Sequence, residues 1–428
     1  MKPFAMLFIT TLWVMTTTCD LIGARDDNKD PKPFERRELP RELDTYENQL
    51  IDGSTWFGME LMQQVVEAEP GSNHFVSPLS IVMAIGMLLN GAEGETYEQI
   101  QEMLGLEGMD RQQINEAARS LTELLTTFDD QVTFQIANSI WYRNEVRGKA
   151  FDVNPDFIRD NQEFFNALIQ QTDFNDPATV DMINNWVAEH TEGLIEEIVE
   201  GPIDPLTVMY LINAIYFNGE WTIQFDPKQT GKSLFILADG SSTEVDMMRL
   251  AEVENMQYAT GSNWQGVNLY YGDAGFAMTL VLPDEQTAVD EWIRDMDRET
   301  WNEITRGYRR VTIDLEMPKF ELEYEMEDLA KVLESLGMVD AFYPELSDFS
   351  RINPEYEDLY VSDARHKTFI RVDEEGTEAA AVTSVEIGVT SAPQRVQIRF
   401  DRPYFYVIRE VESNSPLFMG VMNNPAAQ

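Results

Sequence analysis

Residues 79–89, LSIVMAIGMLL, are apolar on every face of a helix, Ser80 being the one polar side chain, so a helix built from them has no polar face to offer water. The pattern predicts a central, buried helix that opens at Ser77-Pro78, with Ser77 as cap and Pro78 in the first turn. Gly91 and Gly94 end it, and ETYEQIQEMLGLE from Glu95 starts a more amphipathic helix. Residues 112–128 and 152–166 carry the same helical periodicity. Strand patterns dominate elsewhere: VTFQIANSIWYR from Val132, LTVMYLINAIYFNGEW ending at Gly219, then VNLYY, FAMTLVLP, VTIDLEMPKF, RVQIRF and YFYVIREV. Helices come early, strands mostly late, and no βαβ rhythm or internal repeat is visible. This is the signature of an α+β fold.

One stretch alternates without committing itself. From Gly376, taken as a hinge because glycine tolerates unusual backbone angles, one face of an extended chain is Thr377, Ala379, Ala381, Thr383, Val385, Ile387 and Val389. The other is Glu378, Ala380, Val382, Ser384, Glu386 and Gly388, and holds both charges. The pattern is that of a half-buried strand, yet its first half lacks the bulk that anchors one permanently. It reads either as an ordinary edge strand or as a mobile loop able to join a sheet later.

Composition narrows the function. The 428 residues are 43% hydrophobic and 11% aromatic, enough for a sizeable core. Seventy-six acidic residues against 31 basic give a formal charge of −45, which argues against nucleic-acid partners and against heparin-like polyanions. The acids are spread along the chain, as on a solvated surface, and a surface adapted to high salt is the sharper reading. Cys19 is the single cysteine, so no intrachain disulfide can form.

Residues 1–18 have a lysine and a short apolar run of signal-peptide length. Cys19 follows at once, which resembles the bacterial lipoprotein pattern and makes Cys19 a lipidation candidate; cleavage after Ala24 is the competing choice. Either places the protein outside the cytoplasm, secreted or lipid-anchored at the cell envelope, with no other membrane attachment. Residues 19–48 are charged, contain prolines and lack periodicity, as a disordered tether would; residues 49–428 are expected to form a single domain.

No enzyme motif stands out. His74, His190 and His366 form no metal-binding spacing, and there is no Gly-x-Ser-x-Gly, phosphate loop or dinucleotide fingerprint. No metal or cofactor is expected.

The flanks of the alternating stretch change its meaning. DARHKTFIRVDEEGTEAAAVT resembles the reactive-loop hinge of the serpins, and IRFDRPYFYVIREVESNSPLFMGVMNNP resembles their C-terminal signature. FVSPLSIVMAIGMLLNGAEGET from Phe75, LINAIYFNGEW from Leu211 and MPKFELEYEMEDLAKVLESLGMVDAF from Met317 fit in the expected order, so the resemblance covers roughly residues 49 to 425. It implies helices packed around three β-sheets, with a large central sheet and an exposed reactive-centre loop at about 374–395. The hinge would be Glu375, Gly376, Thr377, Glu378, Ala379, Ala380, Ala381, Val382 and Thr383. Ser77, Ser80, Asn213 and His366 match the polar "shutter" beneath the central sheet, and Trp221 the "breach" where a loop first enters it. Counting from Gly376 in the family's manner puts the scissile bond at Thr390–Ser391, with Val389 as neighbour.

The activity implied is irreversible suicide-substrate inhibition of a serine protease, a cysteine protease being the variant target, by a monomer. No Lys or Arg lies between Val372 and Gln394, so an elastase-like or subtilisin-like enzyme with a shallow primary pocket is expected. The alternatives are a non-inhibitory serpin acting as a carrier, or a surface interaction protein on the same fold.

Overall fold

The structure, a computed structural model, describes residues 37–326, 328–377 and 395–427. Its helices are α1 (Thr45–Ala68), α2 (Pro78–Leu89), α3 (Gly94–Met103), α4 (Arg111–Thr127), α5 (Pro155–Phe165), α6 (Ala178–His190), α7 (Val289–Arg294), α8 (Arg298–Arg306) and α9 (Leu329–Ser335). The strands are β1 (His74–Val76), β2 (Val132–Arg143), β3 (Glu145–Val146), β4 (Lys149–Ala150), β5 (Leu168–Thr172), β6 (Met209–Glu220), β7 (Gly231–Ile236), β8 (Ser242–Thr260), β9 (Trp264–Tyr271), β10 (Phe276–Pro283), β11 (Arg309–Pro318), β12 (Phe320–Met326), β13 (His366–Val372), β14 (Gly376–Thr377), β15 (Arg395–Arg399), β16 (Tyr404–Glu410) and β17 (Pro416–Met422).

Each element has a local cause. Ser77 caps α2 by accepting the Ser80 N–H at 3.2 Å, and Pro78 fills the first turn. α2 then packs on β6 of one sheet and β17 of another, which is why it has no polar face. α1 corrects the expected boundary of the charged tether: residues 45–48 are already helical. Asp44 accepts the Tyr46 and Glu47 N–H groups while the Glu47 carboxylate accepts the Asp44 N–H, a capping box. Arg41 closes onto Glu47 and Ser120, and Arg37 pairs with Asp273, so residues 37–44 belong to the folded body.

The six-stranded sheet runs β12-β13-β14-β6-β2-β5. The nine-stranded sheet runs β1-β17-β16-β10-β9-β8-β11-β15, with β7 also on β8. The 19-residue β8 pairs with β7 and β11 along most of its length and with β9 only at its end. It thereby makes one continuous sheet of two of the three expected from the resemblance. β3 and β4 form a small hairpin. The main core lies between the two large sheets, where Phe75 stacks on Phe418 at 5.0 Å. A second apolar cluster, with Trp141, Ile183, Val187, Ile195 and Ile212, holds α6 on the opposite face of the six-stranded sheet.

Candidate functional site

β13 ends at Val372 and the chain turns back at once. The Asp373 N–H donates to the Gly376 carbonyl at 3.0 Å, and the Asp373 carboxylate accepts the Glu375 N–H at 2.9 Å. The turn delivers β14 into the sheet between β13 and β6, with Thr377 opposite both Val372 and Gly219. Gly376 is needed here for closeness, not for the unusual backbone angle assumed from sequence. A Cβ on it would lie 2.2 Å from the Gly219 carbonyl oxygen, and its φ is not positive.

Trp221, the breach candidate, sits directly beneath this turn. It is buried, its Nε1–H donates to the Asp373 carbonyl at 2.9 Å, and its backbone N–H donates to the Glu375 carbonyl. Its indole stacks on Tyr271 with centroids 4.4 Å apart. Tyr271 in turn shares a 2.7 Å hydrogen bond with the Thr377 hydroxyl. Burial pushes that phenol's pKa far above its ordinary range, so it stays neutral. Glu374 is clamped between the Lys319 ammonium and the Thr230 hydroxyl, each at 2.7 Å. Burial alone would raise its pKa, but these partners hold it below the usual carboxylate range. Tyr271, Lys319, Thr230 and Glu374 were not singled out from sequence. Glu374, two residues before Gly376, and Lys319, inside the block from Met317, lay within quoted motifs, but nothing local marks them as partners of each other.

The shutter candidates divide into two groups. The Ser77 N–H donates to His366 Nε2 at 2.9 Å, the Ser77 hydroxyl donates to the Leu417 carbonyl at 2.7 Å, and Ser80 joins through Ser77. Desolvation lowers the His366 pKa to about 4, so its imidazole is neutral. Asn213 does not join them as the motif implied. Its Nδ2 donates to Asn138 at 2.8 Å, and Asn138 donates to the Phe165 carbonyl. Asn138, paired with Asn213 across β2 and β6, is the member the sequence reading missed. Both groups nonetheless border one cavity of about 630 Å³, lined by Ser80, Asn213 and His366 among others.

Below β14 the sheet is parted. No backbone hydrogen bond joins β6 to β13 among the described residues. Near Thr377 a space of about 20 Å³ lies between Ile215, Phe217 and Ile370, and further along the same two strands lies the 630 Å³ cavity, lined by Asn213 and His366. The segment after α6 lies over it: Thr191 and Ile195 line the upper space, Val199 and Val208 the lower. Unpaired strand edges facing one another around a partly seated strand are a site built to accept an extended chain.

The remaining hinge residues Glu378, Ala379, Ala380, Ala381, Val382 and Thr383, the bond candidates Val389, Thr390 and Ser391, and Cys19 lie outside the described residues.

A helix-backed sheet parted below a short strand seated between β13 and β6 fits a class of protein, the serpins, and the chain belongs to that family. The serpin (serine protease inhibitor) family model matches residues 52–425. Plasminogen activator inhibitor 1 of Bos taurus is 32% identical over 379 residues, covering 87% of this chain and 92% of that one. Among solved structures, the native state of tengpin, a thermophilic serpin, matches with TM-score 0.80 and 31% identity over 90% of this chain and 95% of that one. Tengpin's latent state matches with TM-score 0.75 at the same identity, covering 89% and 98%. Serpins are in general inhibitors of serine proteases and not enzymes.

Proposed function

We propose that this serpin is an inhibitory member that traps a serine endopeptidase by inserting its cleaved loop into the six-stranded sheet. The observation that carries the reading is the gap between β6 and β13 with β14 already seated at its top. The protease serine attacks the carbonyl of Thr390, the Thr390–Ser391 bond breaks, and the new amine at Ser391 takes the proton. An ester joins Thr390 to the enzyme. Insertion then competes with hydrolysis of that ester, the mode of the family.

The register of β14 says where each residue would go. Continued downward, it sets Ala379 beside Phe217 and Ile370, Ala381 beside Ile215 and Thr368, and Thr383 beside Asn213 and His366. The space at the first of these levels, about 20 Å³, holds little more than one water-sized group. Alanine methyls suit it and larger side chains do not. Fourteen residues, Thr377 to Thr390, would span roughly 45 Å at about 3.3 Å each. At roughly 0.5–1.5 kcal/mol net per backbone hydrogen bond, the gain rivals a typical protease's stability of about 5–15 kcal/mol.

Val389, Thr390 and Ser391 favour an elastase-like or subtilisin-like target with a shallow primary pocket; a cysteine protease would form the equivalent thioester. Export with a signal peptide over residues 1–18, and a lipid anchor at Cys19 in a bacterial-like form, rest on the N-terminal sequence alone, and action as a monomer on the resemblance. Incubation with pancreatic elastase should give an SDS-resistant complex and release a C-terminal fragment beginning at Ser391 or its neighbour. Cleavage without complex would overturn inhibition, and a fragment starting well outside 389–393 would overturn the bond.

A further inference from the structure

Few large hydrophobic side chains are exposed among the described residues, and three of them fall close together after α9: Val339 at 37%, Tyr343 at 42% and Leu346 at 55%. The backbone that carries them is pinned. The Gln99 Oε1 of α3 accepts the Val339 N–H at 3.0 Å and the Asp340 N–H at 2.8 Å. Two turns follow, in which the Val339 carbonyl accepts the Phe342 N–H and the Tyr343 carbonyl accepts the Leu346 and Ser347 N–H groups. The Ser347 hydroxyl donates to the Leu359 carbonyl, the Asp348 N–H to the Thr96 hydroxyl, and the Tyr343 hydroxyl to Glu334. Apolar side chains held outward on a fixed frame are preorganised anchors, since binding has little left to order.

The surroundings set the partner's charge. Asp340 and Glu345 lie within the turns, and Glu95 and Glu102 flank Gln99 on one face of α3, four residues before it and three after. The nearby cations are engaged: Lys331 pairs with Asp328, Arg111 donates to the Leu89 and Ala92 carbonyls, and Arg351 donates to the Asn90 carbonyl and pairs with Asp160. An apolar centre rimmed by carboxylates suits a cationic amphipathic chain. A second copy does not fit, because it brings the same charge of −45. The chain's own segments outside the described residues do not fit either. Residues 378–394 carry Glu378 and Glu386 and no Lys or Arg. In residues 1–36, Lys2, Arg25, Lys29, Lys32 and Arg36 are offset by Asp20, Asp26, Asp27, Asp30 and Glu35.

We propose that the surface of Val339, Tyr343 and Leu346 docks a cationic amphipathic segment of another protein, with that segment's Lys or Arg side chains on Glu95, Glu102, Asp340 and Glu345. The Ala341 carbonyl, within these turns, accepts the Val361 N–H ahead of β13. The hinge follows the other end of β13 at Val372, about 20 Å along the strand at roughly 3.3 Å per residue. A partner docked here leaves the hinge clear, so the docking does not depend on loop insertion.

Fluorescence anisotropy of a labelled amphipathic peptide of about 14 Leu and Lys residues, roughly 20 Å long as a helix, titrated with the intact protein, tests the site. One saturable event is expected, weaker at about 1 M KCl than at about 0.1 M. A Leu/Glu peptide of the same pattern should not bind, and a Gly/Lys peptide of the same charge should bind about tenfold or more weakly. Val339→Ser with Leu346→Ser should weaken the Leu/Lys peptide about tenfold, and Glu95→Gln with Glu102→Gln about threefold. Leu234→Ser with Ile236→Ser, a similarly exposed pair on β7, should leave it unchanged. Amide hydrogen exchange of the unmodified protein should show protection by the peptide over residues 338–348, which reads the same contact if a variant fails to fold. Absence of a saturable event, equal binding of the Gly/Lys peptide, or equal weakening by the β7 pair would each overturn the site. Binding to phosphatidylcholine vesicles that is lost with Val339→Ser and Leu346→Ser would assign the surface to lipid and overturn a protein partner.

Discussion

At the scale of single residues, the Tyr271 phenol is what fixes the first loop residue in the sheet. Its bond to Thr377 lies in a fully buried place, where an orphaned hydroxyl costs roughly 1–3 kcal/mol. Tyr271→Phe keeps the stack on Trp221 and removes only that bond, so the intact protein should lose about that much in urea unfolding. An unchanged midpoint would show that Thr377 is not held there. His366 has a different signature. Its native pKa of about 4 lies below the ordinary value of 6.5, so the native state prefers the neutral ring. Stability from this group is complete above pH 6.5 and falls as pH drops to 4, by about 3 kcal/mol in all. His366→Gln keeps an acceptor for the Ser77 N–H without titrating. Comparing wild type and variant at pH 7 and pH 4 should show the balance moving toward the variant by about that amount. Ser77, Ser80 and His366 were legible because motif neighbours mark them. Tyr271 and Lys319 were not, because they meet the hinge only through contacts more than fifty residues apart in sequence.

At the scale of elements, clean alternation told most. VTFQIANSIWYR is β2 residue for residue, and α2 was visible because burial on every side leaves an unbroken apolar run. β8 was missed because register shifts against β11 and positive φ at Glu252 and Asn255 break its period of two. α1 was missed as a helix because its cap lies inside a charged segment; the Asp44-x-x-Glu47 spacing was the available signal. The parted sheet had no local signal at all, since a missing ladder between β6 and β13 is written in neither strand. The hinge tests that gap. Thr377 is 3% exposed, and an arginine there would bury an unpaired charge. Thr377→Arg should therefore be cut by the target protease without forming an SDS-resistant complex, while complex formation at the wild-type yield would contradict seating of the hinge as the first step.

At the scale of the whole molecule, charge and stored free energy decide behaviour. No Lys or Arg lies between Arg159 and Lys228, a stretch that includes α6 and the segment laid over the gap. With a formal charge of −45, self-repulsion is screened as the Debye length falls from about 10 Å at 0.1 M salt to about 3 Å at 1 M. The urea midpoint should rise between these concentrations of KCl, and a flat or falling trend would remove the high-salt reading of the acidic surface. On the proposed mechanism the larger reserve is the gap itself, whose edges are unpaired among the described residues, and the intact form would be held kinetically until a strand fills it. Its most direct measurement is the melting temperature of protein nicked at Thr390–Ser391 against the uncut chain. Insertion requires the nicked form to melt higher by more than about 10 °C; equal or lower melting, with the severed segment still open to proteases, would contradict it.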